Sequence, residues 1–157
     1  MFNDPAIQEL LQDLHSSDAR KRQNATARLW QIWFSQKGDT GLETLRRTQF
    51  LIEIGETEQA EMILNQLIET YPDFVEARNQ RAIYYYSQNQ IYKSLQDCQK
   101  VVKLNPNHFG AWHGLGLCYA ALEEYHKAIE AFNKALEIQP YATINQKLIL
   151  ECTVRLN

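Results

Sequence analysis

The sequence predicts an all-α fold built as a stack of antiparallel helix pairs, and three observations predict it. A period of 34 residues runs through the chain, marked by Pro72, Pro106 and Pro140 at equal intervals. Apolar residues recur at helical spacing in both halves of each period, as in Leu115, Tyr119 and Leu122 and then Ile129, Phe132 and Leu136. No segment carries the two-residue alternation of a half-buried strand. The 157 residues, 45% apolar and 22% charged, have an ordinary globular composition. A chain of that length buries roughly 70% of its unfolded surface without a disulfide or metal staple, so one domain is expected.

Registers starting at Gly41, Val75 and Phe109 align well beyond the prolines. Position eight reads Thr48, Ala82, Gly116 and position twenty reads Ala60, Ser94, Ala128; these small residues let two helix backbones approach closely. Position eleven (Leu51, Tyr85, Tyr119), position twenty-four (Leu64, Cys98, Phe132) and position twenty-seven (Leu67, Val101, Ala135) fill the space beside them. Proline at position thirty-two ends the second helix, because the residue before it is pushed out of the α region. The pattern predicts helices over 42–54, 57–70, 75–88, 91–104, 109–122 and 125–138, joined by short polar turns.

The flanks also read as helical. Residues 143–156, with Ile144, Leu148, Ile149, Cys152 and Val154, predict a helix that caps the last pair, since an open stack exposes an apolar end. Asp4 and Pro5 form a helix start, followed by Ile7, Leu10, Leu11 and Leu14. A second helix follows Ser17 or Asp18, runs to about Gln36 and ends at Gly38. In the 34-residue register this pair occupies 7–40, but Asp13 and Ser17 stand where large apolar residues belong. It is either a helical cap or a degenerate fourth repeat.

Trp112, Leu115, Gly116, Tyr119, Ala128, Phe132, Ala135 and Pro140 fall at consensus positions of a known repeat, so the chain resembles the tetratricopeptide repeat (TPR) family. The second repeat departs from the pattern at Arg78 and Arg81, and the first at Thr44 and Arg47. The resemblance implies a right-handed superhelical solenoid, a single TPR domain over 1–157. Its repeats are 41–74, 75–108 and 109–142, with an N-terminal cap or degenerate repeat over 1–40 and a capping helix over 143–157. It also implies a non-enzymatic protein-interaction module, an adaptor or assembly factor without a cofactor, whose concave groove is lined by the first helix of each repeat.

Carried onto this chain, the groove positions are Leu45, Arg46, Gln49 and Ile52, then Asn79, Gln80, Ile83 and Tyr86, then His113 and Leu117, with Leu42, Glu76, Gly110, Gly114 and Ala120 beside them. The lining is mixed and largely uncharged, which suits a peptide or helix presenting apolar and amide-bonding side chains. Members that hold the carboxylate tail of large chaperones use Lys, Asn and Arg at positions that here read Leu45, Gln49, Gln80, Gly110 and Gly114. A chaperone tail is therefore not the expected partner. The competing reading is a structural protein that self-associates through its terminal helices. A third, an RNA-binding helical repeat, needs a basic groove, and Arg46 alone does not supply one. A monomer is expected.

Other chemistry is weakly signalled. The net charge of −3 argues against phosphate neutralisation and hence nucleic acid. No 18-residue apolar run predicts a membrane span, and Met1–Pro5 does not read as a secretory signal. Cys98, Cys118 and Cys152 are odd in number, lack a CxxC and fall at core positions, which suits buried thiols in a reducing cytoplasm. The glycines of 110–116 lie in a helix rather than a phosphate loop. His108 and His113 are poorly spaced for a metal, so the histidines are expected at the surface or in the groove. Arg81 at an interior position needs an acceptor, for which Asp97 is expected; Glu43 could serve Arg47. Trp30, Trp33 and Phe34 are expected to pack on the first repeat. The acidic residues of 48–77 (Glu53, Glu56, Glu58, Glu61, Glu69, Asp73 and Glu76), with no Lys or Arg among them, are expected mostly on a solvated face.

Overall fold

The computed structural model describes residues 2–157 and, among them, contains nine helices and no strand. α1 (Pro5–Asp13) and α2 (Ala19–Phe34) precede the repeats; α3 (Gly38–Glu53) with α4 (Thr57–Thr70), α5 (Val75–Ser87) with α6 (Ile91–Leu104), and α7 (Phe109–Ala121) with α8 (Tyr125–Ile138) are the three hairpins; α9 (Thr143–Leu156) follows. From α3 onward each helix packs on its chain neighbours, and α5 also touches both α3 and α7, so these three form one layer with α4, α6 and α8 behind them.

The small residues at positions eight and twenty do what their size predicts. Thr48, Ala60, Ala82, Ser94, Gly116 and Ala128 are all buried where the helices cross. A Cβ on Gly116 would collide with the Phe132 ring, and both polar members of the set are satisfied, the Ser94 hydroxyl donating to the Ala82 carbonyl at 2.7 Å and the Thr48 hydroxyl to the Thr44 carbonyl at 2.9 Å. Gly55, Asn89 and Glu123, at one position of the repeat, all adopt the left-handed conformation, with φ of 86°, 58° and 60°. In each turn the next residue donates back to Leu51, Tyr85 or Tyr119 at 2.8–2.9 Å, closing a Schellman motif. Only the first turn uses glycine for it.

Arg81 meets Asp97 in the expected way: Nε and one terminal nitrogen donate to the two carboxylate oxygens at 2.7 Å each, and the other reaches Asn65 at 3.0 Å. This pairing ties α4, α5 and α6 together and holds the guanidinium proton even more firmly than usual. Arg47 differs. It is exposed and makes no ion pair with Glu43 within 4 Å, because the stack leaves its side of α3 open to solvent.

α1 and α2 start on Asp4 and Asp18, whose side chains accept from the backbone of Ala6 and Arg20 at 2.8 and 2.9 Å. α2 ends at Phe34, and α3 begins at Gly38 rather than near residue 42. Gly38, with φ of 72°, turns the chain straight into α3, so Asp39 and Thr40 form its first turn. The α1–α2 pair does not stack ahead of α3 as another repeat. It folds back across the stack.

Candidate functional site

α2 crosses the repeats at the N-terminal ends of α5, α7 and α9. Gln36 donates to the Asp73 carbonyl at 2.8 Å and accepts from the Val75 backbone, and Lys37 pairs with Asp73 at 2.7 Å. One turn earlier Trp33 stacks on His108 with centroids 4.3 Å apart, and about two turns earlier Trp30 meets His108 and Phe109 edge-on at 5.3 and 5.4 Å. Earlier still, Gln139 donates to Thr26 at 3.3 Å and the Arg22 guanidinium lies 3.9 Å over the Tyr141 ring. A helix rises about 1.5 Å per residue and packed helices lie about 10 Å apart, so six or seven residues of α2 step from one repeat junction to the next. Trp30 and Trp33 thus pack where the second repeat meets the third and not on the first; Phe34 alone joins the first repeat's core.

Beneath these rings lies a buried polar pair. Glu76 and His108 are each 0% exposed, with Oε2 and Nε2 2.8 Å apart. His108 Nδ1 accepts from the Ala111 backbone N–H at 3.0 Å, so it carries no proton; Nε2–H donates to the carboxylate. Glu76 Oε1 accepts from Asn79 and Gln80 at 3.0 and 2.8 Å. Neither residue stands where the sequence suggested: Glu76 is not on a solvated face or an open groove wall, and His108 is not at the surface. α2 seals both from water, and no 34-residue pattern encodes the path of a hairpin that does not repeat.

Past Trp30 the layer opens. A cavity of about 290 Å³ is lined by Asn79, Ile83, Tyr86, His113 and Leu117, with Trp30, Gly110 and Gly114 along its wall and the buried Ala82, Ser94 and Cys98 at its base. Ile83 is 55% and Tyr86 38% exposed at its mouth. Cys98 offers no nucleophile there, because the Cys118 thiol beside it and burial hold its proton well above the usual thiol range. His113 Nδ1 lies 2.7 Å from Asn145 Oδ1 of α9, which orients the ring, and Gln49 reaches Gln80 at 3.4 Å across α3 and α5.

The cavity therefore gathers Asn79, Ile83, Tyr86, His113 and Leu117 from the expected groove set. Leu45 is not among them: it is 0% exposed, packed with Leu64 and Phe74 in the first repeat's core. Ile52 packs half-buried against the same cluster, and Arg46 and Gln49 lie exposed on α3. Trp30 is the wall that sequence reasoning missed. The signal for it was Gly110, where a Cβ would come within 2.7 Å of the Trp30 ring.

Family models described as tetratricopeptide repeat match residues 43–73, 75–108 and 110–141. Anaphase-promoting complex subunit 3 of Schizosaccharomyces pombe is 28% identical over 97 residues, which are 62% of this chain and 14% of that protein, so the chain spans a small part of that relative. Among solved structures, the first TPR of Spaghetti (RPAP3) bound to the HSP90 peptide SRMEEVD superposes with a TM-score of 0.70 at 18% identity, covering 73% of this chain and 91% of that one. MamA (MSR-1 C2) gives 0.66 at 18% identity and covers 95% of this chain and 83% of its own.

Proposed function

The chain belongs to the tetratricopeptide repeat family, and from that premise we propose that it is a non-enzymatic binding protein, an adaptor or assembly factor that captures a peptide or helical segment of a partner in the open part of its inner layer. The observation that carries this reading is the apolar cavity between Trp30, Ile83, Tyr86 and Leu117. Its volume, about 290 Å³, exceeds the roughly 150 Å³ that holds a benzene ring, so it suits one bulky apolar side chain from the segment. The neighbour that holds the HSP90 peptide SRMEEVD makes peptide capture a natural use of the scaffold.

An acidic tail is a poor occupant. The concave positions Gln49, Gln80, Gly110 and Gly114 carry no cation, and the nearest buried charge, Glu76, is negative. Three free, buried cysteines suit a reducing compartment such as the cytoplasm, and no helix among the described residues is long and apolar enough to cross a membrane. Self-association through residues 1–36 draws no support from the contacts of α1 and α2, because Ile7, Leu14, Leu29 and Trp33 are spent on the chain's own core.

The test is selection of binding peptides from a displayed random library on the immobilised protein, followed by Leu117→Asp and Gly114→Leu. The first places a charge at the cavity mouth and the second fills the space. Both should remove binding of the selected peptides while leaving the helical circular dichroism signal intact. Peptides that bind both variants as well as the parent would move the site elsewhere.

A further inference from the structure

The outer face of α3, opposite its buried side, is left uncovered by the rest of the described chain. Phe50 is 57% and Ile54 55% exposed there, and the α1–α2 pair that the register would place ahead of α3 is engaged across the other repeats. Charges flank Phe50 asymmetrically: Arg46 and Arg47 precede it by one turn, and Glu53 follows it by one. All three are exposed, and among the described residues none makes an ion pair within 4 Å. Cations before an apolar centre and an anion after it form a pattern complementary to its own reverse.

We propose that this face is a two-fold interface with a second copy of the chain, α3 packing antiparallel on α3 about Phe50. Arg46 and Glu53 lie on the same flank of the helix, as do Arg47 and Ile54, because residues seven apart are nearly two full turns apart. The two-fold axis keeps each flank on its own side while reversing direction. Arg46 then faces Glu53 of the second copy, twice by symmetry, and the aliphatic stem of Arg47 covers Ile54 of the second copy. Phe50 meets its own equivalent at the centre. A foreign partner would have no need of this self-matching order, and an α3–α3 contact leaves the cavity between α5 and α7 free, so the inference stands apart from peptide capture. One helix pair buries less than a standard interface of about 1,600 Å², so the dimer is weak and concentration-dependent.

Sedimentation equilibrium of the 157-residue chain from low micromolar to millimolar concentration should fit a monomer–dimer equilibrium with nothing larger. Phe50→Glu should abolish the dimer with an unchanged thermal melt. Arg46→Glu and Glu53→Arg should each weaken dimerisation about tenfold, and the double variant should return it to within about threefold of the parent, since the swapped charges again match across the axis. A chain that stays monomeric throughout, a dimer that survives Phe50→Glu, assemblies beyond two copies, or failure of the double variant to recover would each overturn the proposal.

Discussion

Glu76 and Tyr86 lie on the same helix, ten residues apart, and both belong to the layer that faces inward; the first is 0% exposed and the second 38%. The difference comes from α2, which crosses the N-terminal ends of α5 and α7 and leaves their C-terminal ends bare. In a stack of hairpins, then, the helical face of a residue says which layer it joins, and its position along the axis says whether water reaches it. The covered end behaves as core, with a buried carboxylate, a neutral imidazole and two indoles. The open end keeps an apolar hollow.

Breaking the covered end should cost most. Trp33→Ala removes a ring that is 2% exposed and stacked on His108, and should lower unfolding free energy by about 3–5 kcal/mol in urea titration. His108→Ala takes the Nε2–H donor from a sealed carboxylate and the cap from Ala111; a loss of about 2–4 kcal/mol is expected by the same measurement. Gly110→Ala drives a methyl into Trp30, and a cost of about 1–3 kcal/mol should appear with a shift in tryptophan fluorescence. At the open end the effects shrink or change sign. Glu123→Gly relieves the left-handed backbone after α7 and should raise stability by about 0.5–1 kcal/mol. Ile83→Ala should change stability by less than about 0.5 kcal/mol, the ordinary range for an exposed side chain, while still weakening capture of selected peptides. A large loss of stability from Ile83→Ala, or none from Trp33→Ala, would erase the contrast between the two ends.

The repeating part of the molecule was legible because each repeat's contacts are local and recur. Thr48, Ala82 and Gly116 announced close helix crossings, and Arg81 could be matched to Asp97 because a hairpin brings α5 and α6 together at a known register. Helix α3 started earlier than the repeat implied because Gly38, read as a stop, also lets the chain turn at once into the next helix. What was not legible was every consequence of α2. Trp30 and Gly110 are neighbours across 80 positions of sequence, and nothing periodic links them. For that reason the repeat pattern alone places Glu76 on a solvated face or beside the groove and His108 at the surface or in the groove, and it predicts a groove along the first helices of the repeats rather than the cavity that α2 leaves open.

The anchorage of α2 and of the turn that follows it at three successive junctions, near Gln139, His108 and Asp73, has a mechanical consequence. Serial hairpins held only by nearest neighbours behave as a spring whose pitch can stretch or bend. A rigid rod fastened at three points along that spring fixes its curvature, so the distance between α5 and α7 is set before anything arrives. An incoming segment meets a slot of constant width and gives up less freedom of the host on entry.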